Sequence, residues 1–577
     1  MTLNILTYTY TIPILYAGAN TLNSNVNILE LFNIHILPEL HDTDINKRPV
    51  VKADVIKLIC FFRIHLNRTI LLSLIPHIIR YLSSKYVVIQ TYAAICIEKF
   101  LSIKDSTTTT TTAPTTTHIH TSEQVYRITK ADILPQLQPL FTGLFTVLEN
   151  PELPENDYVM KCILRVMVVL GNDILPVITP VITHITTSLS RVCAKPMNPH
   201  FNHYLFECLA VLVKSVCIDT VATQPETAVQ SCTNFESLLF PPFQSILTQD
   251  ITEFIPYVFQ VLALLLSARP AGSGLSDAYK SLFPPLLSPI LWKQKGYIPA
   301  LSELFRAYIT IGMHDIYTSG HIEGVLGIFQ ELLSTKIHEV YAFKLLNQLY
   351  LYNSIDILSP YLRTIFDLLL RRMGSQMTAT IKTPKICRLF IHSILLFTTI
   401  NGSTALINIL TQLSPGLLNE LVTNVWTPNR ELCCQLELSE ILYMIVGGTK
   451  LLIDTAMTTD PTQIQLWCSI LKNILPLLEA KGMQHIEIDD TAFLTEEAED
   501  REFDTKYSKL IYAHIPDHTP TSVSTEVNQA KLYFSTSLST LCHTAPGRFL
   551  TVIQQSFGPE EVNILQRVIQ QYNVTLV

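Results

Sequence analysis

One short signal recurs along the chain and limits what it can fold into. It is a residue, most often apolar, then a proline, then an amphipathic helical stretch. It stands at Ile75-Pro76, Leu134-Pro135, Leu175-Pro176, Phe240-Pro241, Phe283-Pro284, Ser359-Pro360, Ser414-Pro415 and Leu475-Pro476. Proline suits the first helical turn, where its missing N–H costs nothing, and it drives the preceding residue out of helical geometry. Each of these prolines is therefore expected to mark a helix start. Pro135 to Pro176 spans 41 residues, Pro241 to Pro284 spans 43, and Pro284 to Pro360 spans 76, close to two such units. Pro415 to Pro476 is wider. A period of about 40–47 residues is that of HEAT and armadillo repeats.

The stretches between the prolines carry one apolar stripe each. Ile70, Leu71, Leu74, Ile75, Ile78, Ile79 and Leu82 follow one another in steps of one and three. Val325, Leu326, Phe329, Leu332 and Leu333 repeat the pattern. These steps describe a helix face rather than the alternation of a strand. A single helix pair cannot bury such a stripe, whereas stacked pairs bury it against their neighbours. The fold class that follows is all-α: a HEAT-type helical-repeat solenoid, a right-handed superhelix of antiparallel helix pairs, with roughly ten to twelve repeats.

Length and composition agree with stacking. The chain has 577 residues, beyond the ~250–300 at which a single core stops growing. Hydrophobic residues make up 48% and charged residues 15%, against about 25% charged in ordinary domains; much apolar surface must lie between elements. Only 18 glycines speak against a turn-rich β fold. The longest apolar runs, Val258 to Ala268 and Leu389 to Ile400, fall short of the ~20 residues that span a bilayer, so no membrane insertion is expected. Met1 to about Asn25 lacks the basic start of a signal peptide.

Two interruptions stand out. Residues 106–122 form a low-complexity threonine-rich stretch, expected to be a disordered surface loop. Residues 485–504 (HIEIDDTAFLTEEAEDREFD) form an acidic insertion between helices.

No motif for catalysis is present. The sequence has no G-x-x-x-x-G-K-[ST], no H-E-x-x-H, and no G-x-G-x-x-G opening a helix. His200 and His203 could share a helix face but have no third metal ligand nearby, and solvent-facing or capping roles fit them better. The acidic insertion lacks EF-hand spacing and the glycine of that loop. The 12 cysteines include no C-x-x-C pair; Cys433-Cys434 has no histidine partner and reads as structural, and Cys60, Cys96 and Cys468 sit in apolar runs, as reduced cysteines of a cytosolic or nuclear protein do. Net charge is −8 with a pI near 6.1, so direct nucleic-acid binding is not expected. No cofactor, metal or catalytic residue is assigned, and the chain reads as a binding protein rather than an enzyme.

Ordered strings then carry a resemblance. RPVVKADVIKLICFFR (48–63) comes first, and VIQTYAAICIEKFL (88–101) follows with Thr91, Tyr92, Ala93, Ala94 and Glu98. ENDYVMKCILRV (155–166) adds Glu155, Asn156, Tyr158, Met160, Lys161 and Arg165. PHFNHYLFE (199–207), EFIPYVFQVLALLL (253–266), GYIPALSELFRAYI (296–309), GVLGIFQELLSTK (324–336) and LSTLCHTAPGR (538–548) continue in order. Together they resemble the CAS-type exportins of the importin-beta superfamily, collinearly from about residue 30. On that resemblance residues 1–29 are an unmatched N-terminal segment and 30–577 are the C-terminal part of the solenoid. The family's N-terminal region has no counterpart, so the chain reads as a fragment or a truncated gene product.

The resemblance implies a nuclear export receptor that binds importin-alpha cooperatively with Ran-GTP and returns it to the cytoplasm. Such a receptor also meets phenylalanine-glycine repeat nucleoporins and shuttles between nucleus and cytoplasm through the nuclear pore. The alternative is a HEAT-repeat protein–protein scaffold without Ran dependence. Candidate partner contacts are Asn202, Tyr204 and Glu207 in the PHFNHYLFE string, for which helix packing is an equal reading. Glu496, Glu497, Glu499 and Asp500 in the acidic insertion are the others, read either as a solvated acidic loop or as a contact for a basic partner surface.

Overall fold

The computed structural model describes residues 30, 32–108, 122–150, 155–221, 225–270, 272–352, 355–378, 383–482, 509–515 and 521–576. Two compact units are formed. The first is Met1–Ala268 with Ser508–His514; the second is Arg269–Tyr507 with Ile515–Val577. Each unit is a stack of HEAT-type helix pairs.

In the first unit α1 (Pro49–Phe62), α3 (Val87–Leu101), α5 (Asp157–Leu170), α7 (Pro199–Val213) and α9 (Ile255–Ser267) pack one on the next as a ladder. A second layer, α2 (Arg68–Tyr81), α4 (Leu137–Glu149), α6 (Ile178–Ala194) and α8 (Pro225–Thr248), pairs with the ladder helices that follow them. Ladder helices are apolar nearly all round, because neighbours cover them on several sides. In α7 every residue from Phe201 to Val213 is buried. Second-layer helices keep the one-sided stripe read from the sequence, as in α2, where Leu71, Leu74, Ile75, Ile78 and Ile79 are buried. Asparagine caps set several starts: Asn67, Asn156 and Asn198 accept from the backbone N–H groups of Ile70, Val159 and Phe201, filling donors a helix end leaves open.

Most of the prolines do not sit where the repeat signal placed them. Pro76, Pro241, Pro284, Pro360 and Pro476 lie inside helices, although an interior proline forfeits one intrahelical hydrogen bond. The packing of an amphipathic face, which supplies most helical stability in proteins, carries these helices through it. The ladder helices are opened by another set: Pro49, Pro199 and Pro256 in the first unit, Pro299 and Pro384 in the second.

Of the threonine-rich stretch, residues 109–121 lie outside the described residues, and the two ends are strand. Lys104–Thr108 (β1) and Ser122–Tyr126 (β2) pair antiparallel, Lys104 opposite Tyr126 and Thr108 opposite Ser122. β-branched threonine favours the extended backbone. Arg127 locks the base of the ribbon: it pairs with Asp105 at 2.6 Å and donates to the carbonyls of Ile64 and Leu66.

In the second unit α10 (Asp277–Leu286) leans on α11 (Ile298–Thr318) through Phe283 against Phe305 and Tyr308. Next come α12 (Ile322–Ser334), α13 (Glu339–Tyr352), α14 (Ile355–Thr378), α15 (Pro384–Asn401) and α16 (Ser403–Leu413). α17 (Leu438–Leu452), α18 (Ile464–Glu479), α19 (Ala530–Thr544), α20 (Arg548–Ser556) and α21 (Pro559–Gln571) complete it. α11, α13, α15 and α17 stack in order, and α17 then packs on both α18 and α19.

Two helical stretches are long and apolar enough to cross a membrane by length and composition, 157–194 and 199–218. The first is broken at Gly171, φ +51°, into α5 and α6. The second is a ladder rung with 89% of its apolar window buried, so repeat packing accounts for its hydropathy.

Candidate functional site

The ladder of the first unit carries polar groups in register. Asn156 at the start of α5 donates to Thr91 Oγ1 of α3 at 2.7 Å. Lower in the same rungs Arg165 of α5, 1% exposed, meets Glu98 of α3 at 3.5 Å. Ser102 also donates to that carboxylate, at 3.1 Å. Lys161 of α5 lies 5.6 Å from the ring centre of Tyr204 on α7, a cation–π contact. His203 of α7 bonds the Tyr257 hydroxyl of α9 at 3.2 Å, and Phe206 stacks on the Tyr257 ring at 4.8 Å. The strings that carried the resemblance are thus physically paired. Thr91, Glu98, Asn156, Lys161, Arg165 and Tyr204 specify how consecutive rungs sit against each other.

Of the seven candidate contacts, Asn202, Tyr204 and Glu207 are all buried, while Glu496, Glu497, Glu499 and Asp500 lie outside the described residues. Tyr204 of α7 lies under Lys161 of α5, and Asn202 is buried on α7. Glu207 does something else. Its carboxylate is completely buried and receives the chain's own backbone from 304 residues away: Oε1 accepts from Ile511 N–H at 2.6 Å and Oε2 from Tyr512 N–H at 3.2 Å. On the next rung Gln260 Oε1 accepts from Leu510 N–H at 2.8 Å, while its own amide is fixed by the Pro256 carbonyl. Leu510 and Tyr512 are buried in the process. Residues 509–514 therefore form a strap laid over α7 and α9.

His203 is neither solvent-facing nor a cap, as its spacing with His200 had suggested. Its ring is buried 3.7 Å from Glu207, and burial, with the His200 charge adding, pushes its pKa down to about 4. The imidazole is neutral at physiological pH, so His203 offers the Glu207 carboxylate no cation, and the strap's N–H groups carry weight in holding it. Charge-assisted bonds of this kind are about twice as strong as neutral ones. Cys433 and Cys434 are held as thiols, burial lifting them to about 12 and about 11.

The strap was missed at the level of sequence, and two signals pointed to it. Gln260 is the single amide in the run Ile255 to Leu266, and a buried polar group needs a partner. KLIYAHI (509–515) is an apolar island shortly after the acidic insertion.

Comparison with known proteins places this ladder. The family description "CAS/CSE protein, C-terminus" matches residues 117–568, and "Cse1" matches 9–97, so most of 1–29, left unmatched above, falls within a family match. Exportin-2 of Xenopus laevis is 34% identical over 572 residues, covering 97% of this chain and 54% of that protein. Exportin-2 of Homo sapiens is 33% identical over 563 residues with the same coverage. The chain spans about half the length of the curated relatives it matches. Among solved structures, the exportin Cse1 in its cargo-free, cytoplasmic state superposes with a TM-score of 0.75 at 23% identity, over 95% of this chain and 52% of that one. Importin beta reaches 0.53 at 10% identity, over 99% and 63%. These two likenesses speak for the fold. The family match over most of the chain, seated on rungs whose polar pairs come from the matched strings, makes this protein a member of the CAS/CSE family.

Proposed function

We propose that this chain is the C-terminal part of a nuclear export receptor that binds importin-alpha cooperatively with Ran-GTP and returns it to the cytoplasm. The observation that carries the reading is the family match over residues 117–568, together with Exportin-2 relatives across 97% of the chain. The physical logic is linkage. Each ligand favours the same arrangement of the repeats, so each raises the affinity for the other by the same factor. Stacked helix pairs suit this, since small shifts at each interface add up along the stack. Phenylalanine-glycine repeat nucleoporins are the further partners in this reading, and the protein shuttles between nucleus and cytoplasm.

The acidic insertion is the proposed contact for a basic partner surface, through Glu496, Glu497, Glu499 and Asp500. Neutralising these four to Gln and Asn is expected to weaken importin-alpha binding by about tenfold at low salt and by less at high salt, where charges are screened. Affinity unchanged at low salt removes the insertion from the interface.

The deciding experiment is importin-alpha binding to this chain with and without Ran-GTP. Ran-dependent binding supports the reading. Binding without Ran dependence keeps importin-alpha as partner and assigns the coupling to sequence beyond this chain. Binding to neither, with no entry into a phenylalanine-rich mesh, favours the scaffold alternative.

A further inference from the structure

We propose that residues 509–514 are a displaceable strap, and that the Glu207–Gln260 cradle on α7 and α9 is a peptide-docking site that the chain's own strap fills in this structure. The inference stands apart from the export reading, because it concerns contacts within this chain and its test uses neither importin-alpha nor Ran.

The chemistry of the cradle is that of a peptide reader. Glu207 and Gln260 meet Leu510, Ile511 and Tyr512 through three backbone N–H groups. A reader of this type recognises three successive N–H groups and leaves the side chains to apolar fit. The occupant defines the ligand class: a short turn segment with an apolar residue, a spacer and an aromatic residue in sequence, as Leu510, Ile511 and Tyr512 present. Any peptide offering that backbone pattern competes for the same oxygens.

The strap is built to leave. It is a bend and turn without helix or strand, so no helix or sheet ladder of backbone hydrogen bonds holds it. Lys509 and His514 at its two ends are exposed. It lies 250 to 305 residues from the groups it bonds, and the rungs α7 and α9 contact one another directly. What it gives up on opening is confined to two buried side chains, Leu510 and Tyr512, and three hydrogen bonds, a local opening well below the cost of global unfolding. When the strap lifts, a carboxylate that is completely buried here loses these two donors. An incoming peptide with the same N–H pattern restores these two bonds.

Hydrogen exchange on the wild-type chain provides the first test. The amides of Leu510, Ile511 and Tyr512 are expected to be protected yet to exchange at least 100-fold faster than the amides of α7. Glu207→Gln should accelerate the strap a further tenfold and leave α7 unchanged. Strap and α7 amides exchanging together would mean that the segment is permanent core, and the proposal falls. The second test replaces residues 509–514 by a Gly/Ser linker of equal length and titrates in a labelled peptide of residues 506–518. The expected result is saturable binding to the replaced chain, at least tenfold weaker binding to the intact chain, and a tenfold loss when Glu207→Gln is added to the replacement. The docking site is overturned if the replaced chain keeps its helical circular dichroism and binds no peptide, or binds it equally well with and without Glu207→Gln.

Discussion

Glu98 and Arg165 show how a buried charge pair serves alignment between rungs. The guanidinium is almost wholly inside, with Glu98 at 3.5 Å. Pairs of this kind add little net stability, yet stranding one partner costs about 3–5 kcal/mol. Arg165→Met is expected to lower unfolding stability by that order in urea titrations, and the double variant Glu98→Gln/Arg165→Met to recover at least half of the loss. A double variant as unstable as the single one would mean that the arginine stem, not its charge, matters. Both residues were visible in the sequence as parts of matched strings. Their meeting was not, because they lie on helices separated by the ribbon and by α4, and no spacing rule reaches across 67 residues. Histidine burial has a pH consequence. His203 is held down near pH 4 by burial, and His392 is lowered by burial against the opposing pull of Glu440. His203 stays neutral in the fold down to about pH 4 but takes a proton at about 6.5 when unfolded, and His392 is shifted in the same direction. Between about pH 6.5 and 4 the unfolded chain binds more protons, so stability is full above that window and falls as pH drops through it. Melting temperatures recorded from pH 7.5 to 5 should show the decline, and His203→Gln should make it shallower.

At the scale of elements, Gly447 of α17 sets the contact with α15, while its neighbour Gly448 faces Ile474 of α18 and Trp426. A Cβ on Gly447 would stand 2.1 Å from the Leu395 carbonyl oxygen, and one on Gly448 would meet only the side chains of Ile474 and Trp426, at 2.8 Å and beyond. The same junction is tied by Thr399, whose hydroxyl reaches the carbonyls of Leu395 and Tyr443. Overpacking costs typically about 1–3 kcal/mol. Backbone cannot swing aside as a side chain can, so Gly447→Ala belongs at or above the top of that range and Gly448→Ala near the bottom. Chemical denaturation of the two variants checks the order, and equal losses would contradict it. Helix identity was largely legible from the apolar steps, as α2 and α12 demonstrate. Helix starts were misread wherever a proline sat within a well-packed second-layer helix, since local preference there yields to the buried face. Proline does stand in the first turn of α7 and of α9, at Pro199 and Pro256, two positions that the repeat signal had not included.

For the whole molecule, stacked repeats contact mainly their neighbours, and a local injury should stay local. Gly447→Ala is expected to raise amide exchange in α15, α17 and α18 while leaving α3 and α5 as they are; a uniform rise across both units would show that the stack unfolds as one body. The division into two units was not legible from repeat spacing, because the 40-residue rhythm runs on through it, and the strap joins residues that no periodic signal relates. The ribbon has a consequence for how this chain tolerates change. Arg127 and Asp105 fix both ends of the threonine-rich stretch at its base, so the distance its ends must span is set by the ribbon and not by the helices. Doubling the length of a connecting segment adds only about 0.6 kcal/mol of closure cost. The segment between the strands can therefore be lengthened or shortened at little cost in stability, and the same point offers a place to graft a reporter domain without disturbing the rungs on either side.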